Sequence, residues 1–269
     1  MLISEALDLK ERAFISFVGA GGKSTLFKRL AEELALKDKR MILTTTTKMF
    51  SWQLTPFVKK DRLIEVRDEE TIRGYIKKYF SLESKGGRLA VIGEKIEDKE
   101  EEKVSGPPPE WLDKWWEEKI ADYFLIEADG AAGRPIKAPA PHEPVIPLST
   151  TDLIGVVGID AVGLPLNEEN VFRSEIFSRL TGLNLGEKIG IEVLAFLICH
   201  PQGLFKGAPP GCRRHLLINK AEDSNSIEMA EEFAFEVLKI CHRRISDIII
   251  GAAGQKEVVA ELIKEEKAL

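Results

Sequence analysis

Gly19-Ala-Gly-Gly-Lys-Ser-Thr25 is the segment whose residue types speak most directly of chemistry. Its glycines let backbone N–H groups turn toward an anion without side-chain clashes. Lys23 supplies a cation that can reach the β- and γ-phosphates of a nucleotide, and the Ser24 hydroxyl can ligate Mg²⁺. Gly19, Ala20, Gly21, Gly22, Lys23, Ser24 and Thr25 are therefore expected to form a phosphate cradle. The usual loop places its first glycine six residues before the lysine, where this chain has Phe17, so the loop is shortened. A dinucleotide site fits less well: Ser24 takes the last glycine position of GxGxxG, and the second strand ends in Thr44–Thr47 rather than a ribose-binding acid.

Asp122–Asp129 (DYFLIEAD) reads as an apolar strand that ends in carboxylates. Glu127 and Asp129 are two apart on extended backbone and share a face. Such carboxylates border the crevice where open α/β sheets bind ligands. Asp129 is expected to hold Mg²⁺ through water, and Glu127 to hold the metal or orient a water nucleophile. Thr44–Thr47 followed by Lys48 closes an earlier strand. One of these hydroxyls, assigned to Thr46, would complete the metal shell or bind the γ-phosphate, although β-propensity also accounts for threonines there.

Farther along, Asn219-Lys220-Ala-Glu222 resembles the NKxD signature that reads guanine, with Glu in the Asp position. The loop Gly130–Pro147 contains five prolines, which hold it extended with little entropy left to lose. It carries Arg134 and Lys137, suited to phosphoryl charge or an anionic partner, and His142 and Glu143, suited to proton transfer or metal capture. An isolated His-Glu pair also has an ordinary structural reading. His200 and Lys206 lie in a second polar loop.

These groups need elements to position them. Strands are expected at Phe14–Val18, Met41–Thr44, Leu89–Ile92, Phe124–Glu127, Leu153–Val157, Val193–Ile198, Leu216–Asn219 and Ile248–Ile250, several as continuous apolar runs suited to burial on both faces. Helices are expected at Ser24–Leu36, Glu168–Leu180, Ile227–Ile240 and Glu257–Lys267, with another carrying Trp111, Trp115 and Trp116 as packing residues. Glu94–Val104 reads as a solvated charged loop. The alternation implies an α/β fold, a mostly parallel sheet with helices on both faces and inserted loops. One domain over 1–269 fits best, with a semi-separate lobe from about residue 149 as the alternative.

A hydrophobic fraction of 44% and a net charge of -6 suit a globular chain and disfavour general nucleic-acid binding. Neither a signal peptide nor a membrane-length apolar run is visible, so a cytoplasmic location is expected. Cys199, Cys212 and Cys241 lack any CxxC spacing and read as three unpaired thiols.

Together, VGAGGKST, LTTTTKM, LIEADGAAGRPIKAPAPHEPVIP, VVGIDAVG, HPQGLFKG and INKAE resemble the YqeC family. The resemblance runs from the cradle to Glu222. It implies a P-loop NTPase-like fold and an accessory role toward selenium-dependent molybdenum hydroxylases, without supplying a reaction. The matching positions are Gly21 to Thr25, Thr46, Thr47, Lys48, Glu127, Asp129, Lys137, His142, Glu143, Asn219 and Lys220. Two positions depart from the pattern: Phe172-Arg173, where a histidine would precede the arginine, and Glu222, where Asp is more usual.

The expectation is a Mg²⁺-dependent NTPase, with GTP favoured over ATP, that matures a selenium- or molybdenum-containing hydroxylase. Lys23, Glu127, Asp129 and His142 would be its catalytic groups. Two alternatives are a kinase or nucleotidyl-transfer enzyme acting on a small molecule, and a nucleotide-binding module without turnover.

Overall fold

Strand β1 (Ala13–Gly19) is buried along its whole length, and its alternating side chains divide the protein into two faces. The computed structural model describes residues 1–50, 63–65, 68–82, 86–96, 103–241 and 244–264. Ile15 and Phe17 point to one face, where α1 (Ile3–Ala6) and α2 (Lys23–Ala35) cover the sheet. Phe14 and Val18 point to the other. There α3 (Glu69–Leu82) and α4 (Pro109–Glu117) cover one end. The other end is covered by α5 (Ser174–Thr181), α6 (Ile191–Cys199) and α7 (Ser224–Cys241).

The principal sheet is completed by β2 (Arg40–Thr45), β4 (Leu63–Glu65), β5 (Gly87–Ile92), β8 (Tyr123–Glu127), β10 (Asp152–Gly158), β12 (Arg213–Asn219), β13 (Asp247–Gly251) and β14 (Val259–Lys264). Its order is β14-β13-β12-β10-β1-β8-β2-β5-β4. Every neighbouring pair is parallel except β13 with β14. This is the α/β architecture of the P-loop NTPase-like kind. Parallel neighbours put the C-terminal ends of β1, β8, β10 and β12 on one edge, where the loops expected to carry chemistry emerge. Two small sheets decorate it: β3 (Lys48–Phe50), β7 (Lys103–Ser105) and β6 (Lys95–Ile96) in one, β9 (Ile136–Lys137) and β11 (Val171–Phe172) in the other.

Several expectations change. Val193–Ile198 lies in helix α6, not in a strand. A short continuous apolar run looks the same in both, and here its helical face, Leu194, Ala195, Ile198 and Cys199, packs into the core beside α7. Within Glu257–Lys267, 259–264 form edge strand β14 rather than a helix; the Lys/Glu-rich composition favours helix, but the open edge of β13 captures the backbone. The helix expected from Glu168 begins only at Ser174, because Val171 and Phe172 pair with Ile136 and Lys137. The charged segment from Glu94 contributes β6 and β7 rather than a plain loop, with 97–102 outside the described residues.

Two of the three cysteines are joined. Cys199 and Cys241 form a disulfide that links the last residues of α6 and α7. They are 42 residues apart in sequence, so only the packing of the two helices brings them together. Cys212 is a free thiol. The tryptophans do pack: Trp115 is buried with its indole N–H donating to Glu69 at 3.0 Å, and Trp116 lies edge-on to Phe14 and Phe124. Among the described residues no helix is long and apolar enough to cross a membrane.

Candidate functional site

The turn from β1 into α2 is tight because of its glycines. Gly21 and Gly22 have φ of 74° and 110°, a left-handed backbone that a side chain would strain. A Cβ on Gly21 would run into the Gly158 backbone and the Pro135 carbonyl, and one on Gly22 into the Asn219 amide. Gly22 is the N-cap of α2, so the helix opens directly onto the loop. Its first-turn N–H groups have no carbonyl one turn behind them and present the positive end of the helix dipole.

Not all of the loop offers its amides to a ligand. The Gly19 N–H donates to Asp129 Oδ2 at 3.1 Å, that of Ala20 to the Val156 carbonyl at 3.0 Å, and that of Gly21 to the Arg134 carbonyl at 3.0 Å. The first half of the loop is thus stitched to β10 and to the chain after β8. What remains of the loop at the entrance to α2 is Gly22–Thr25, with Thr25 exposed at its rim.

Lys23 is the centre of a buried charge network. Its ammonium lies 2.6 Å from Asp129 Oδ1 and 3.3 Å from Glu127 Oε1, and it also donates to the Asp129 carbonyl. Burial pushes its pKa down, but the charges of Asp129 and Glu127 outweigh this and raise it, so the lysine stays protonated. The Ser24 hydroxyl lies 3.4 Å from Glu127 Oε2. Asp129 also meets Lys137, 3.1 Å away, and Lys137 in turn meets Glu143 at 2.8 Å. Arg173 completes the chain with a two-pronged pair to Glu143, Nη2 to Oε1 being 2.7 Å. Burial pushes the Glu143 carboxyl up, yet hydrogen bonds and charge from Arg173 and Lys137 win and bring it down to about 2. Three cations, Lys23, Lys137 and Arg173, thereby face three carboxylates, Glu127, Asp129 and Glu143.

Lys23, Ser24, Glu127, Asp129, Lys137 and Glu143 therefore come together at the sheet edge. Others are employed differently. Thr46 donates its hydroxyl to the Val145 carbonyl at 2.5 Å, tying β2 to the proline-rich loop. Thr45 and Thr44 donate likewise to the Glu127 and Val91 carbonyls, at 2.7 and 2.5 Å. Arg134 points its Nε at the Glu168 carbonyl, 2.8 Å away, rather than toward Asp129. His142 is exposed on the crown of the loop, 3.9 Å from Glu143. Asn219 is a buried strut: its amide donates to the Gly21 carbonyl at 2.7 Å and accepts from the Ala253 N–H at 2.8 Å. It locks the cradle to the turn after β13. Lys220 has φ of 66° and pairs with Asp160 at 2.6 Å, while Glu222 is exposed.

Three residues matter here beyond the roles the sequence suggested. Arg173 anchors Glu143 across 30 residues, and no spacing rule joins them. Asp160, from the 3-10 turn Ile159–Ala161 after β10, is the carboxylate that contacts Lys220. Lys206 donates to the Ala140 and Pro141 carbonyls, both at 2.8 Å, and so braces the proline-rich loop from the segment after α6.

Among the described residues no three His, Cys, Asp or Glu side chains gather as a self-sufficient metal site. The donors that are grouped, a serine hydroxyl and two carboxylates, are hard oxygens. Mg²⁺ typically takes one or two carboxylates and completes its shell with water and phosphate oxygens, so this set fits it.

The sequence profile of the YqeC protein family matches residues 15–175, which include the cradle, both carboxylates, the proline-rich loop and Arg173. The chain is also 35% identical over 227 residues to the uncharacterized protein YqeC of Escherichia coli (strain K12), covering 82% of each chain.

Proposed function

The chain belongs to the YqeC family, and from its cradle we propose that it is a Mg²⁺-dependent nucleotide-binding protein, an NTPase favouring GTP that serves as an accessory or maturation factor for a selenium- or molybdenum-containing hydroxylase. One observation carries the reading: the protonated Lys23, in the first turn of α2, meets Glu127 and Asp129 at a single point on the sheet edge. A triphosphate would place its terminal phosphates against the α2 entrance and exchange one of its oxygens for a carboxylate on Lys23. Ser24 and Asp129 would hold Mg²⁺, with Thr46 able to lend a lone pair while its hydroxyl goes on donating to the Val145 carbonyl. Bound there, the metal would supply Lewis-acid polarisation of the phosphoryl oxygens. Since three cations already balance three carboxylates, an added polyanion favours entry of a divalent cation with it. Glu127, whose Oε1 faces Lys23 and whose Oε2 faces Ser24, is suited to orient a water.

Guanine preference rests on the order of segments at the same edge. Asn219 ends β12 and Lys220 follows it, and the turn from Gly251 to Ala253 leaves β13 beside them, tied through Asn219. Asp160 joins Glu222 as a carboxylate able to accept from a base N–H. A second reading, phosphoryl or nucleotidyl transfer to a small anionic acceptor, draws on Lys137 and Arg173, which stand next to Asp129 in the proline-rich loop. Calorimetry with GTP, ATP and CTP plus Mg²⁺ tests the base assignment, and a clear ATP preference would overturn it. A product assay separates the two activities: nucleotide consumption that tracks a modified acceptor sinks the maturation-factor reading.

A further inference from the structure

Away from the cradle, the Cys199–Cys241 disulfide lines a cavity of about 330 Å³. The cavity is walled by the start of the loop after α6 and by the approach to β13. Its other walls include Phe205, Ile198 and Ile245. The polar side chains on the wall are those of His200, Arg214 and Arg244, and among the described residues that line it there is no carboxylate. Arg244 is exposed, and its Nε donates to the Cys241 carbonyl at 3.1 Å, which keeps a guanidinium beside that half of the bridge. His200 Nδ1 accepts from the Gln202 N–H at 3.0 Å, so its remaining nitrogen carries a proton and is a donor. A disulfide that lines the same recess as two arginines is set up to receive a negatively charged attacker, because positive charge raises the local concentration of anions.

We propose that Cys199–Cys241 is a redox-active site that exchanges with a small, carboxylate-bearing thiol admitted by Arg214, Arg244 and His200. The step is an ordinary exchange. The incoming thiolate forms a new S–S bond to the Sγ of Cys199, the less buried of the two residues at 8% exposed against 3%, and the original S–S bond breaks. Cys241 leaves as a thiolate and takes a proton from solvent. A second equivalent of the same thiol attacks the mixed disulfide, releases the small-molecule disulfide and leaves both cysteines reduced. Two thiols are oxidised and one protein disulfide is reduced. The site stands independently of nucleotide binding, although it is not far from it in the chain. Leu204, five residues beyond Cys199, lies so close to β1 that a Cβ on Gly19 would come within 2.7 Å of its side chain.

The test uses the full oxidised chain and follows disulfide loss by alkylation and mass spectrometry under native conditions. The probes are glutathione, which is anionic, and cysteamine, which is cationic, compared at equal thiolate concentration. The expected result is a rate proportional to thiol concentration and about tenfold faster with glutathione, with a transient glutathione adduct on Cys199. The pair Arg214→Gln and Arg244→Gln should erase the preference, and Arg214→Lys with Arg244→Lys should keep most of it, each checked for folding by circular dichroism. A rate independent of thiol concentration would mean reduction only through unfolding and would overturn the proposal. So would equal rates for the two thiols, a preference that survives the glutamine pair, or failure of the disulfide to form in glutathione disulfide buffer.

Discussion

Replacing Asp129 by asparagine tests the buried charge network at its most connected point. Asp129 is 2% exposed and meets Lys23 at 2.6 Å and Lys137 at 3.1 Å, besides accepting the Gly19 N–H. The amide side chain would keep the shape and an acceptor for Gly19 but remove one negative charge, leaving three buried or half-buried cations against two carboxylates. Removing one partner of a buried pair costs about 3–5 kcal/mol. Each lysine retains a second carboxylate, Glu127 at 3.3 Å and Glu143 at 2.8 Å, which puts the expected loss at the lower end, about 3 kcal/mol. For a chain of this size that corresponds to a fall of roughly 6–12 °C in thermal midpoint. Urea denaturation of the wild type and Asp129→Asn measures it, with the double variant that adds Lys137→Met as the partner. Taking away the ammonium that has lost one of its two carboxylates should recover about 1–3 kcal/mol. A loss below about 1 kcal/mol in the single variant, or strict additivity in the double, would refute the reasoning that these charges depend on one another.

Asn219→Ala should cost about 2–4 kcal/mol, since the Gly21 carbonyl and Ala253 N–H would lose their buried partner. Hydrogen exchange at Ala253 should accelerate in step, and an unchanged amide there would contradict the strut assignment. A separate pH effect follows from His215, which is wholly buried with Nε2 3.1 Å from Asp152 and Nδ1 2.9 Å from Asp247, the latter close but off the line of a hydrogen bond. Burial pushes the imidazole pKa down, and its two carboxylates more than reverse this and raise it. Its contribution is then full below the ordinary value of about 6.5 and is lost as pH rises through the raised value. Burial pushes Asp152 up, but His215, Thr151 and Arg213 lower it, so its contribution is present above about 4 and is lost as pH falls through the lowered value. Urea midpoints should therefore be greatest between about pH 4 and 6.5, and His215→Asn should flatten the alkaline decline; an identical decline in the variant would count against this source.

The turn from β1 into α2 was legible because its sequence signals are local. Strand, glycines, lysine and hydroxyl follow one another, and the same holds for Glu127 and Asp129 at the end of β8. What escaped was decided by tertiary contact. Val193–Ile198 has the composition of a buried strand, and only its place beside α7 makes it a helix. Residues 259–264 have the composition of a helix, and the free edge of β13 makes them a strand. The Glu143–Arg173 pair and the Cys199–Cys241 bridge join positions with no sequence relation. Asn219 shows a subtler limit: its position was readable, but its side chain faces the Gly21 carbonyl and Ala253, a bracing task that the motif does not spell out.

Binding of a nucleotide at Lys23 is the central claim, and isothermal titration of the full chain with GTP and Mg²⁺, beside Lys23→Met, tests it most directly. The account predicts saturable one-to-one binding that weakens at least about tenfold, or about 1.4 kcal/mol, in a Lys23→Met protein that still folds. Absence of binding by the wild type, or equal affinity in the two proteins, would contradict it.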